Sequence, residues 1–197
     1  MRRIVAFNNV SADGYFSAAD GNLDWVVPDN ELAAAAVGAP GRGTLIFGRR
    51  TYEIFESFWP RVVTDSPTAP DPHGGPPSPE IRAIGVFINE ATKVVFSKTR
   101  KEVTWKNSRL VRELVPRDIE ALKREAGPDI MIFGSGSVAS QLTQHGLIDE
   151  YQFVVSPVLL GGGRSLLTNV PKITKVKLVE AKEYKTGNVM LRYARNV

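Results

Sequence analysis

Runs of apolar residues bounded by turn formers recur along the chain: RIVAF at 3–7, TLIFG at 44–48, KVVFS at 93–97, IMIFG at 130–134 and EYQFVVS at 150–156. The first four are continuous rather than alternating, the pattern of strands covered on both faces. Helical patterns lie between them. DNELAAAAVG has Asp29 placed to cap a helix and Gly38 to stop it; PRDIEALKREAG opens on Pro116, spaces Ile119 and Leu122 along one face and ends at Gly127. Alternating strand and helix predict an α/β domain on a largely parallel sheet. The tail differs: KVKLVEAKEYKTGNVMLRYAR alternates on either side of KTGN, with Gly187 available for positive φ, so the sheet is expected to be mixed and to end in an antiparallel hairpin. Residues 60–79 hold seven of the thirteen prolines. They are expected to form neither helix nor strand, because proline lacks an amide donor and restricts the residue before it. A surface insertion is the expected reading, with an active-site lid as the alternative.

The junctions between strand and helix carry the candidate chemistry. In IMIFGSGSVASQL (130–142) an apolar strand runs into Gly134, Ser135, Gly136, Ser137 and Val138 and then into a helical stretch, so free amides at a helix start can face an anion. Gly134, Gly136 and Ala139 satisfy the dinucleotide fingerprint, but they follow four candidate strands and no acidic residue ends the next one, which argues for a phosphate site without a Rossmann fold. A tight turn that needs glycine for geometry alone is the plain alternative. LIFGRRTYEIF (45–55) repeats the design with Gly48, Arg49, Arg50 and Thr51, where cations and a hydroxyl join the amides. A third strand ends in Ser97, Lys98, Thr99 and Arg100, suited to an additional 2′-phosphate. Three such edges predict a cradle for one extended dinucleotide. Residues 8–29 read as a loop with Gly14 and Gly21 as flex points and Tyr15, Phe16 and Trp25 between them, able to close over a flat ring.

A single domain over 1–197, interrupted by the proline-rich insertion, is expected from a length of 197 residues at 43% hydrophobic composition. Without cysteine there is no disulfide, thiolate metal site or cysteine nucleophile, and His73 and His145 lack partners for a metal or a triad. No run of apolar residues reaches spanning or signal-peptide length, so a soluble, cytoplasmic protein without a membrane partner is expected. The net charge of +4 is scattered among acidic residues, which speaks against nucleic acid and for a small phosphorylated ligand.

Taken in order, SADGYF with GNLDW, LIFGRRTYEIF, VVFSKT, IMIFGSGSVASQL and IDEYQFVVSPVLLGGGRSLL resemble the successive signatures of the dihydrofolate reductase superfamily. The closer likeness is to the reductase domain of bacterial riboflavin biosynthesis, the C-terminal half of the bifunctional deaminase-reductase, and its stand-alone relatives. The resemblance implies a three-layer fold around a mixed, mostly parallel eight-stranded sheet, with NADPH extended across the strand ends. It assigns Gly48, Arg49 and Thr51 to the coenzyme phosphates, Ser97 and Lys98 to the 2′-phosphate side, and Gly134, Ser135, Gly136, Ser137 and Val138 to the pyrophosphate. Asn9, Asp13, Gly14 and Phe16 would lie near the nicotinamide. Trp25 and the turn Gly162, Gly163 and Arg164 would meet the substrate or a second subunit, and a homodimer is expected. Asp13 and Asp29 are the candidate proton donors, with Glu31 competing; Asp13 is equally readable as a turn-forming acceptor. The implied activity is NADPH-dependent reduction of a pyrimidine- or pterin-like molecule, with 5-amino-6-(5-phosphoribosylamino)uracil reduction as the reference. Dihydrofolate reduction and nucleotide binding without turnover are the alternatives.

Overall fold

The computed structural model describes residues 1–36, 43–64, 78–170 and 173–196. The elements run β1 (Ile4–Ser11), α1 (Asn30–Ala36), β2 (Thr44–Gly48), α2 (Arg49–Val62), α3 (Pro79–Glu90), β3 (Thr92–Phe96) and β4 (Ser108–Val111). They continue with α4 (Pro116–Arg124), β5 (Ile130–Phe133), α5 (Gly136–Gln144), β6 (Glu150–Ser156), β7 (Val176–Glu183) and β8 (Val189–Arg195). One eight-stranded sheet forms in the order β4-β3-β2-β5-β1-β6-β8-β7. The pairs from β4 to β6 are parallel, and β8 runs antiparallel to both β6 and β7. This is the mixed, mostly parallel sheet expected, ending in a hairpin whose turn places Gly187 at φ 84°.

Successive strand side chains point to opposite faces, and both faces are covered. Phe7, Leu45, Phe47, Val95 and Phe133 meet Leu32 of α1, Tyr52 of α2 and Ile84 and Ile88 of α3. Ile4, Ala6, Ile46, Val94, Ile130 and Ile132 meet Ile119 and Leu122 of α4 and Val138 and Leu142 of α5. Two cores with the sheet between them make three layers.

The chain order explains where a ligand can enter. β2 and β5 are neighbours, yet the chain leaves β2 toward β3 on one side and leaves β5 toward β6 on the other. Helices following the two strands therefore lie on opposite faces, and a crevice opens beyond their carboxyl ends.

Several expectations change. β1 continues to Ser11, so Asn8 and Asn9 belong to a strand rather than to the following loop. The proline-rich stretch is helical at both ends: Pro60 lies within α2, and Pro79 starts α3 behind the Ser78 cap, whose hydroxyl accepts from the Ile81 amide at 3.3 Å. Proline is at home there because the first amides of a helix have no intrahelical acceptor. The rest of that stretch, 65–77 with His73, and Gly38 fall outside the described residues.

Candidate functional site

Two adjoining hollows occupy the crevice. The first, about 470 Å³, is lined by residues following β2 (Gly48, Arg49, Arg50, Thr51), β3 (Ser97, Lys98, Thr99) and β5 (Ser135, Gly136, Ser137), together with Phe16, Arg164 and Thr168. The three strand ends read from the sequence thus converge on one cleft. Among the lining residues are four cations and no carboxylate. Arg49 is held by Glu53 at 3.0 Å, whereas the side chains of Arg50, Lys98 and Arg164 have no hydrogen-bonding or ionic partner among the described residues.

Both helices that start at the cleft lack a side-chain cap: α2 begins after Gly48 and α5 after Ser135. Their leading amides, ahead of Val138 in α5, have no intrahelical acceptor and carry the positive end of the helix dipole. Hydroxyls lock the two starts together. Ser135 Oγ accepts from the Gly48 amide at 2.9 Å and donates to the Phe133 carbonyl at 3.1 Å, and Thr51 Oγ accepts from the Ser135 amide at 3.1 Å. Thr51 accepts in that bond, so its own hydroxyl proton remains free to donate. Gly134 and Ser135 are both left-handed, at φ 55° and 59°. Gly136 has no room for a side chain: a Cβ there would lie 2.9 Å from the Leu166 carbonyl oxygen. Ser97 Oγ accepts from the Thr99 and Arg100 amides at 3.3 and 2.9 Å, fixing the turn that presents Lys98.

The second hollow, about 550 Å³, shares Phe16 and Thr51 with the first and lies under the β1–α1 loop, against α2 and α3. Phe7, Phe55, Phe58, Trp59 and Phe133 wall it, with ring centroids 5.0–6.0 Å apart between Phe7 and Phe133, Phe55 and Phe133, Phe55 and Trp59, and Phe58 and Trp59. Asn9, Asp29, Asn30 and Thr51 supply its polar side chains. Asp29 Oδ1 caps α1 by accepting from the Leu32 amide at 2.9 Å, and Oδ2 accepts from Thr186 Oγ at 2.6 Å. Asp29 is the one ionisable side chain among the described lining residues.

The structure does not bring every expected residue to these hollows. Asp13 lies outside both: its carboxylate accepts from Ser11 Oγ at 2.6 Å, from the Leu160 amide at 3.1 Å and from the Gly161 amide at 2.7 Å. The Ser11 hydroxyl, followed by the Leu160 and Gly161 amides, holds it below the usual carboxylate range despite some desolvation. A carboxylate so held braces a turn. Val138 is core, and its amide already donates to the Ser135 carbonyl at 2.8 Å. Trp25 lines neither hollow and donates from Nε1 to the Asn22 carbonyl at 3.2 Å, while Leu23, Val26 and Val27 line the wall instead. Gly14 and Gly162 have open space around them and line neither hollow. Gly163 permits a backbone approach, since a Cβ there would meet the Ser17 carbonyl oxygen at 2.3 Å, and so sets the Ser17–Arg164 bridge that aims Arg164 at the cleft. Glu31 pairs with Lys182 at 2.8 Å, away from the cavity. The aromatic wall of α2 and the part played by Ile81 and Ile84 of α3 escaped sequence reasoning.

Comparison with known proteins agrees with the fold. The family model described as RibD C-terminal domain matches residues 2–190. The uncharacterized protein YyaP of Bacillus subtilis (strain 168) is 24% identical over 195 residues, covering 99% of this chain and 96% of that protein. Among solved structures, a protein assigned to riboflavin biosynthesis from Shewanella sp. PV-4 superposes with a TM-score of 0.68 at 21% identity, over 99% of each chain. The Thermotoga maritima diaminohydroxyphosphoribosylaminopyrimidine deaminase/5-amino-6-(5-phosphoribosylamino)uracil reductase gives 0.61 at 15% identity, over 99% of this chain and 57% of that one. Enterococcus faecalis dihydrofolate reductase complexed with NADP(H) gives 0.61 at 15% identity, over 99% and 97%.

Proposed function

The chain belongs to the RibD C-terminal domain family, and from that premise we propose that it is an NADPH-dependent reductase delivering hydride to a small pyrimidine- or pterin-like heterocycle. The observation that carries this reading is the meeting of three strand ends on one cationic cleft, which adjoins an aromatic cavity across Phe16 and Thr51. The cleft suits a dinucleotide: uncapped helix starts for the pyrophosphate, Thr51 and Arg49 or Arg50 beside it, and Lys98 at the outer edge for a 2′-phosphate. Solved structures of the same fold support the assignment, since they include an aminouracil reductase and a dihydrofolate reductase complexed with NADP(H).

When bound, NADPH would supply the hydride, two electrons and one proton, that the carbon of a C=N or C=O bond accepts. The acceptor nitrogen or oxygen takes a proton from Asp29 or from water that Asp29 orders. The residues of this chain align donor and acceptor: the cleft fixes the coenzyme's polyanionic part, Phe16 sits where the two hollows meet, and Asn9 offers a carboxamide to an amide edge. The aromatic wall excludes water from the reacting atoms. The test is NADPH oxidation at 340 nm with a panel of oxidised pterins and ribosylaminopyrimidines. Turnover of at least one, abolished by excess NADP⁺, is expected; tight NADPH binding with no turnover across the panel would leave a nucleotide-binding protein instead.

We also propose that the protein pairs with a second copy at the β7 end of the sheet. Val176 and Leu178 are 38% and 50% exposed on the edge strand and stand opposite Arg195 and Tyr193. Light scattering on the purified protein is expected to give twice the mass of one chain.

A further inference from the structure

We propose that the acceptor held in the aromatic cavity is a planar, uncharged molecule without a phosphate, so that this chain differs in substrate from a reductase acting on a phosphoribosylated aminouracil. The inference rests on the reductase reading and narrows it. The cavity wall is Phe55, Phe58, Trp59 and Phe133, and its rim carries Leu23 and Ile54, large apolar side chains 37% and 51% exposed to water. Apolar groups left in solvent around a concave hollow gain most from a ligand that covers them with apolar or aromatic surface.

The charges agree. No lysine, arginine or histidine is among the described residues lining the cavity, and its one ionisable group, Asp29, is an acid. A phosphate dianion placed here would lose water, find no cation and face a carboxylate. The cations of the crevice among the described residues, Arg49, Arg50, Lys98 and Arg164, line the other hollow, the cleft that the coenzyme's own phosphates require. Segregation is therefore complete among the described residues. The anionic partner has one hollow and the neutral partner the other.

The test is a competition on the whole protein saturated with NADPH. The affinity of 6,7-dimethylpterin, planar and uncharged at neutral pH, is compared with that of 5-amino-6-(5-phosphoribosylamino)uracil by calorimetry. Coenzyme fluorescence reports NADPH binding in the same samples. The pterin is expected to bind at least tenfold more tightly. Equal or tighter binding of the phosphorylated ligand, or binding of neither at millimolar concentration, overturns the proposal. Ile54→Lys, on the exposed side of α2, is expected to shift the ratio at least tenfold toward the phosphorylated ligand with the NADPH affinity unchanged; an unchanged ratio also overturns it. If NADPH itself fails to bind, it is the reductase reading that fails, which the fluorescence signal distinguishes.

Discussion

Lys93 offers a test of how the third strand end is held in place. It is completely buried in β3, and its Nζ donates to the carbonyls of Asn89 at 2.8 Å, Ala91 at 2.9 Å and Lys106 at 3.0 Å while lying 4.4 Å from the centre of the Trp105 ring. The ammonium thus ties the end of α3 to the loop before β4, and the same strand leads directly into Ser97 and Lys98. Burial pushes the amine down to about 8; Glu90 raises it somewhat and Lys106 lowers it further. Lys93→Met keeps most of the volume and leaves three carbonyls without a donor, each costing about 1–3 kcal/mol, offset by several kcal/mol because no cation has to be buried. The net loss at pH 7 is expected to be about 2 kcal/mol.

The pH dependence is the sharper signature. Between the folded value near 8 and the ordinary value of 10.5, the unfolded chain holds a proton on this amine that the folded chain has lost. Raising pH through that window therefore favours folding, by up to about 1.4 kcal/mol per unit and about 3 kcal/mol in all. Below pH 8 both states are protonated and this contribution is flat. Urea unfolding of wild type and Lys93→Met at pH 7.5, 9 and 10.5 isolates it, because other titrating groups cancel in the difference. The advantage of wild type over the variant is expected to grow steadily from pH 8. A difference that stays constant to pH 10.5 would refute the reasoning, and would mean that the three carbonyls keep the ammonium charged against its burial.

Three further outcomes are expected. Asp29→Asn retains the oxygen that caps α1 and should hold stability within about 0.5 kcal/mol, while lowering turnover about a hundredfold in steady-state assays if the carboxyl governs protonation; unchanged turnover would remove Asp29 from the chemistry. Gly163→Ala forces a Cβ against the Ser17 carbonyl and should cost about 1–3 kcal/mol in urea unfolding and weaken NADPH binding through Arg164. Raising salt from 0.05 to 0.5 M should weaken NADPH several-fold and leave the pterin almost unaffected, as measured by fluorescence and calorimetry, because the coenzyme is a polyanion met by cations and the pterin carries no charge.

Much of this was legible because it is local. A continuous apolar run ending in glycine marks a buried strand and the start of a helix, so β2 and β5 and their anion-facing turns could be read residue by residue. Asp29 as a cap and Gly187 in a hairpin turn follow from the same short-range chemistry. α3 was hidden by the proline-rich stretch before it and by Gly85, which interrupts a helical pattern. The structure shows why glycine is there: a Cβ would approach the Val62 side chain to 2.9 Å where α2 and α3 meet. The pattern ends β1 at Phe7 because a polar residue in a buried run reads as a loop, yet Asn8 is 1% exposed in the middle of the pairing with β6. The insertion of β5 between β2 and β1, and the turning of Phe55 and Trp59 toward a cavity instead of solvent, are set by contacts far apart in sequence. No window of the chain contains them. Asp13 shows the opposite limit: the turn around it was readable, but the two amides that occupy its carboxylate come from residues 160 and 161.

The central claim is that one elongated polyanion is held jointly by the ends of β2, β3 and β5. Titration of NADPH and NADH onto wild type, Arg50→Ala, Lys98→Ala and Gly136→Ala, followed by coenzyme fluorescence, tests it directly. Each substitution should weaken NADPH about tenfold, and Lys98→Ala alone should erase most of the preference for NADPH over NADH. If wild type binds the two coenzymes equally, or if any one of the three strand ends can be altered without effect on NADPH, the shared cradle does not exist.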